Sequence, residues 1–264
     1  MEVCILKLCL AQTDIVWEDK SANMRKAREI MAEAAWQGAE LVVFPELSLT
    51  GFSMNAGLAE PPQGETAEFF TELSGNSGVA AAFGFACSHD GVITNRMCIA
   101  DDGEIIAEYD KIHPFSYGGE CAVYSGGDRL CTADIRGVRT GLTICYDLRF
   151  PEVYQALSAD CELIIVAASW PDKRRAHWET LLRARAIENQ CCIAGCNRFG
   201  NGGGLYYSGG SAVYSPEGAR IAAADDGASL LFADIDSGEC RRVRSEFPVK
   251  NDRKSELYRD FYAK

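Results

Sequence analysis

The sequence predicts a single α/β domain, residues 1–264, with mixed β-sheets, and three observations predict it. Short apolar runs of strand length alternate with helix-period patterns along the chain. Tight-turn signals at Asp102-Gly103 and Arg136-Gly137 join neighbouring strands as hairpins, which a wholly parallel sheet does not contain. No linker-like tract or internal repeat divides the 264 residues, and 47% hydrophobic content supplies a substantial core.

The elements follow in order. Residues 3–11 read as a first strand; the same stretch could be mistaken for a signal peptide, but Lys7 breaks the apolar run and no basic segment precedes it. Residues 21–36 place Met24, Ala27, Ile30, Met31, Ala34 and Ala35 on one helical face, with Gly38 as a stop signal. Residues 41–44 are a buried strand, 65–73 a helix and 79–87 a small-residue strand. Strands 96–100 and 104–109 flank the first hairpin turn, and 130–135 and 139–144 the second. A helix at 152–158, a strand at 163–168, a long helix at 174–189 and a strand at 191–196 continue the alternation. Residues 200–204 (GNGGG) read as a flexible loop without the Lys-Ser/Thr of a phosphate-binding loop. The remainder reads as strand and turn, with turns at Pro216-Glu217-Gly218 and Asp225-Asp226-Gly227.

Composition excludes several functions. A net charge of −12 without a Lys/Arg block argues against nucleic acid or anionic lipid as a partner. No apolar stretch is long enough to cross a membrane. The 12 cysteines contain no C-x-x-C pair, so neither a zinc ribbon nor a thioredoxin-like site is expected, and reduced thiols in the cytoplasm are.

Three strand-like runs each deliver one reactive group just past their ends. LVVFPE ends in Glu46, IIAEYDK in Lys111 and GLTIC in Cys145. Ligands in open α/β sheets gather outside the carboxyl ends of strands. If these strands are neighbours, a carboxylate, an ammonium and a thiol share one pocket. Glu46 can then take the thiol proton, while Lys111 and a backbone N–H such as that of Tyr146 stabilise an oxyanion. The sum is acyl transfer from an amide to water. Taken singly, Glu46 reads better as a loop carboxylate or cap, Lys111 as a solvated lysine and Cys145 as a core thiol; only their joint placement favours chemistry. A Cys–His mechanism through His113 competes, with His89 and His177 reading as surface residues.

LVVFPELSLTGFSM, IIAEYDKIHPFSYGGE, GLTICYDLRFPEVY, ASWP, RARAIENQ and SGGSAVYSPEG, in this order, resemble the nitrilase superfamily of carbon–nitrogen hydrolases over essentially the whole chain. The resemblance implies a four-layer αββα sandwich that dimerises, no cofactor and no metal. It makes Glu46 the general base, Lys111 the oxyanion-side lysine, Cys145 the nucleophile and Glu120 a second carboxylate beside them. Cys145-Tyr146-Asp147-Leu148-Arg149-Phe150 resembles the branch of ω-amidases and deaminated-glutathione amidases, and FPVKNDR leans toward the former. The implied substrate is a small carboxylate-bearing amide such as 2-oxoglutaramate or 2-oxosuccinamate; deaminated glutathione and N-carbamoyl amino acids are the alternatives. Arg149 would hold the substrate carboxylate, or else pair with Glu152; Trp170 and Tyr117 would line the acyl pocket, or simply pack. Pro114 departs from the leucine common in the branch and bears on the loop that closes the pocket. A catalytically silent binding protein on the same fold is the reading of another class.

Overall fold

The computed structural model describes residues 3–263. Strand β1 (Ile5–Gln12) sets the pattern of the whole molecule. Its Leu6, Leu8 and Leu10 face one apolar cluster, whereas Cys9 and Ala11 face another, as the two-residue period of a strand requires. Helix α1 (Lys20–Trp36) is started by Asp19, whose carboxylate accepts from the Ala22 N–H at 2.9 Å. β2 (Leu41–Val43) follows, then α2 (Glu65–Ser77), which stops at Gly78 in the left-handed conformation (φ +67°). β3 (Ala80–His89), β4 (Val92–Asp101) and β5 (Glu104–Asp110) form a meander. These strands make a six-stranded sheet in the order β14-β1-β2-β3-β4-β5, β14 being Ser229–Asp236. β1, β2 and β3 run parallel at its centre and the outer strands are antiparallel.

The second half repeats the plan. β6 (Thr132–Ile135) and β7 (Val138–Ile144) form a hairpin, followed by α3 (Pro151–Leu157), β8 (Leu163–Ala168), α4 (Arg175–Asn189) and β9 (Cys192–Asn197). β10 (Phe199–Gly202) and β11 (Leu205–Ser208) make a separate ribbon before β12 (Ala212–Tyr214) and β13 (Arg220–Ala223). The second sheet has the order β13-β12-β9-β8-β7-β6, again with a parallel centre. Helices α5 (Ser237–Glu246) and α6 (Ser255–Tyr262) close the chain.

The two sheets pack face to face over one shared core, including Leu8, Leu10, Val43, Met97, Leu142, Ile144 and Ile165. α1 and α2 cover the outer face of the first sheet, where Phe44, Phe69, Phe70 and Phe83 cluster. α3 and α4 cover the second, around Tyr154, Trp178 and Leu182. The result is a four-layer αββα sandwich with mixed sheets.

Two sequence expectations differ from this fold. Residues 200–204 are not a loose loop but the end and turn of the β10–β11 hairpin, with Gly203 and Gly204 supplying the positive φ of +55° and +76°. The C-terminal segment is helical rather than strand and turn. α5 buries only Ser237, Cys240 and Val243 and lacks a broad apolar stripe, whereas α6 is short and leaves its apolar face of Leu257, Tyr258, Phe261 and Tyr262 exposed.

Candidate active site

The C-terminal ends of strands from both sheets meet at one place, and each contributes one functional group. Glu46 lies in the turn after β2, Lys111 directly after β5 and Cys145 directly after β7. The first loop is fixed by Ser48, whose N–H donates to the Gly84 carbonyl at 2.8 Å and whose hydroxyl accepts from the Gly84 N–H at 2.9 Å. Gly84 is needed there, since a Cβ would lie 3.0 Å from the Leu47 nitrogen.

Lys111 is almost fully buried and donates to Glu46 Oε1 at 2.8 Å and to Glu120 Oε2 at 2.8 Å. Asn95 Nδ2 bridges the same two carboxylates at 2.8 and 3.0 Å. Presenting its NH2 to both leaves Asn95 Oδ1 without a partner among the described residues. The Ser169 N–H donates to Glu46 Oε2 at 3.0 Å, and the Phe115 N–H to Glu120 Oε2 at 2.5 Å. The backbone donor that ties this loop to the cluster thus belongs to Phe115, not to position 114. Two carboxylates and one ammonium thus form a buried cluster. Burial drives the Glu46 carboxyl above its usual range, against the pull of Lys111. Burial also opposes the Lys111 charge, but Glu46 and Glu120 outweigh it and keep the ammonium protonated beyond the ordinary lysine range.

Cys145 sits at a sharp elbow with φ +43°, a left-handed conformation that non-glycine residues rarely adopt, and opens the short 3-10 segment Cys145–Arg149. Asp147 holds the elbow. Its Oδ2 accepts from the Ile144 N–H at 3.1 Å and the Tyr109 hydroxyl at 2.8 Å, and its Oδ1 from the His113 N–H at 3.0 Å. Burial, then the Glu46 carboxylate, push the Cys145 thiol well above its ordinary range, with Lys111 pulling the other way. The thiol at rest is protonated and needs a proton acceptor during attack.

Cys145, Lys111 and Ser169 line one end of a cavity of about 400 Å³. Tyr146, Arg149 and Trp170 line it as the sequence suggested, joined by Phe52, Phe115, Arg174 and Tyr207. Arg149 does not pair with Glu152, which instead meets the Tyr262 hydroxyl. Its guanidinium lies over the Trp170 ring at 4.7 Å and contacts His177 Nδ1 at 3.2 Å. Tyr117 is a correction. The 3-10 turn Ser116–Gly118 points its ring outward, 87% exposed, and Phe115 lines the wall in its place. His113 does not line the cavity either. It stacks on Phe150 at 3.6 Å and its Nδ1 lies 2.9 Å from Asp147 Oδ1, so a Cys–His arrangement has no geometric basis. A larger groove of about 1110 Å³ beside α2 and β5 contains none of these residues. Among the described residues, no group of three or more His, Cys, Asp or Glu side chains is arranged as a metal site.

Asn95, Asp147 and Ser169 were absent from the sequence expectations. Asn95 lay just outside the strand expected at 96–100, and the structure extends that strand to Val92–Asp101 and so includes it.

Residues 7–245 match the carbon-nitrogen hydrolase family model. The chain belongs to the carbon-nitrogen hydrolase family. Among relatives, it is 34% identical to omega-amidase YafV of Escherichia coli K12, covering 94% of this chain and 96% of the relative. It is also 34% identical to 2-oxoglutaramate amidase of Bacillus subtilis, over 95% and 98%. Omega-amidase NIT2 of Homo sapiens is 31% identical, over 90% and 92%. Among solved carbon-nitrogen hydrolase structures, XC1258 of Xanthomonas campestris, which carries an arsenic adduct in its active site, superposes with a TM-score of 0.90 at 30% identity, over 96% and 98% of the two chains. A Nesterenkonia amidase with the acetamide moiety of fluoroacetamide on its active-site cysteine gives 0.87 at 25% identity, over 97% and 96%.

Proposed function

We propose that this carbon-nitrogen hydrolase cleaves a linear, carboxylate-bearing amide to a carboxylate and ammonia through a cysteine thioester, with ω-amidase activity on 2-oxoglutaramate or 2-oxosuccinamate. The observation that carries the reading is the buried Glu46–Lys111–Glu120 cluster at the Cys145 end of a cavity that also holds Arg149. The names of the relatives point the same way.

In this reading Glu46 accepts the thiol proton as Sγ forms a bond to the amide carbon. The electron pair of the carbonyl moves onto oxygen, where the Lys111 ammonium and the Tyr146 N–H stabilise it. As the carbonyl reforms, the C–N bond breaks and Glu46 returns the proton to nitrogen, so that ammonia leaves. Water then loses a proton to Glu46 and adds to the thioester. The C–S bond breaks as Glu46 returns that proton to sulfur, releasing the acid and regenerating both the thiol and the Glu46 carboxylate. Glu120 holds Lys111 in place throughout. Arg149, over Trp170, takes the substrate carboxylate.

Ammonia release should be measured from 2-oxoglutaramate, 2-oxosuccinamate, deaminated glutathione, N-carbamoyl amino acids and simple nitriles. Strong preference for a nitrile or carbamoyl compound overturns the substrate assignment. No turnover of any, with Cys145 unlabelled by a reactive amide, favours a silent binding protein.

The same reading includes a homodimer in the cytoplasm. All 12 cysteines are free, which suits a reducing compartment. Beside α3, α6 exposes Leu257, Tyr258, Phe261 and Tyr262. Light scattering that finds only monomer at micromolar concentration sinks the dimer.

A further inference from the structure

Besides Arg149, the cavity is lined by two donors, Arg174 and Tyr207, to which the reaction above gives no role. Nearby arginines find carboxylates: Arg175 pairs with Glu179 at 2.9 Å and Asp226 at 2.7 Å, and Arg185 with Glu188 at 3.0 Å. Among the described residues, none lies within ion-pairing distance of Arg149 or Arg174. Each is carried over an aromatic ring instead, Arg149 over Trp170 at 4.7 Å and Arg174 over Phe115 at 5.2 Å. Burial, then the charge of Arg174, weaken the hold of Arg149 on its proton. Two guanidiniums brought together without a counter-ion repel, and a bound anion relieves that cost.

Tyr207 is the other donor. Its ring lies 4.6 Å under the buried Arg198 guanidinium, and its hydroxyl makes no hydrogen bond to any described residue. β11, which carries Tyr207, packs against the Asp172–Arg174 turn, which carries Arg174. Beyond burial and the charge of Arg198, its hydroxyl feels the charges of Glu46, Cys145 and Arg174, so it lies within electrostatic reach of both the thiol and that arginine. Burial raises its pKa to about 12, leaving the phenol a hydrogen-bond donor at neutral pH.

We propose that Arg174 and Tyr207 are specificity-determining positioning residues: Arg174 shares the carboxylate of a 2-oxo acid ω-amide with Arg149, and the Tyr207 hydroxyl donates to the 2-oxo oxygen. The inference rests on the amidase reading above.

The test compares kcat and KM for 2-oxoglutaramate, glutaramate and butyramide, which carry a carboxylate and an oxo group, a carboxylate alone, and neither. Arg174→Gln should raise KM for both acids and lower their kcat/KM relative to butyramide by roughly 10- to 100-fold, the weight of a charged hydrogen bond. Arg174→Lys should restore part of that ratio, because it keeps the charge without the fork. Tyr207→Phe should lower the 2-oxoglutaramate to glutaramate ratio by about 5- to 10-fold. Equal losses on all three amides, or losses confined to kcat, overturn the proposal and leave the amidase reading intact. If Arg174→Gln does not fold, an unchanged ratio in Arg174→Lys overturns the Arg174 assignment. A wild-type enzyme that does not prefer 2-oxoglutaramate to butyramide defeats the amidase substrate reading itself.

Discussion

At the residue scale, the buried cluster has one charge too many. Glu46 and Glu120 share a single ammonium, so the two carboxylates are not equivalent to a simple ion pair. Glu46→Gln leaves Lys111 neutralised by Glu120, and since ionising Glu46 in the fold is unfavourable, the variant should melt no lower than wild type at neutral pH. The sign agrees: a carboxyl whose folded pKa is raised contributes stability below its unfolded value and loses it as pH rises through the folded one. Lys111→Met leaves two carboxylates buried together and should cost about 3–5 kcal/mol by chemical denaturation. Catalysis should go the other way. Burial, then the Glu46 charge, keep Cys145 protonated; Glu46→Gln removes the second, so ultraviolet thiolate absorbance, read as the difference from Cys145→Ala, should appear at lower pH while turnover falls by roughly 10²–10⁴-fold. A variant that retained turnover would reject Glu46 as the base. Glu46, Lys111 and Cys145 were legible as residues because each follows a strand-like run. Asp147 was not, because it acts through contacts with Tyr109 and His113, 38 and 34 residues away in sequence.

At the element scale, the site depends on where strands stop. β2, β5 and β7 each end one to three residues before a reactive group, and apolar runs mark such ends in a sequence. The β10–β11 ribbon was illegible for the opposite reason. Its glycines look like a flexible loop, and only packing against Trp17 and Arg198 makes them ordered; a Cβ on Gly202 would lie 2.5 Å from Arg198 Nη1. Gly84 in β3 gives the test. Gly84→Ala places a methyl group 3.0 Å from the Leu47 nitrogen and 3.3 Å from the Arg96 carbonyl, pushing on the loop that holds Glu46. Overpacking of this kind should cost about 1–3 kcal/mol. The turnover loss should exceed what that destabilisation explains, measured at a temperature where the variant is fully folded.

At the scale of the whole molecule, the two sheets share one core, so neither half buries its inner face alone. Leu142 from the second sheet packs in the same cluster as Leu8 and Met97 from the first. Leu142→Ala should therefore cost about 2–5 kcal/mol and unfold both halves in a single transition, followed by far-ultraviolet circular dichroism and by tryptophan fluorescence. Two separated transitions would show that the halves fold independently. The αββα arrangement was legible only through resemblance, since strand and helix patterns do not say which sheet a strand joins. The cavity also has a direction. Behind Lys111 at its inner end lie two buried carboxylates against one ammonium, and among the described residues no carboxylate pairs with the two guanidiniums, Arg149 and Arg174, that line it elsewhere. A neutral amide group can rest beside Cys145 with its carboxylate among the arginines, but hydrolysis turns that amide into a second anion at the negative end. On the proposed substrate pose, that new charge should drive the product out. Inhibition by the dicarboxylate should accordingly be weaker than substrate binding and should strengthen as pH falls, when that new acid is protonated.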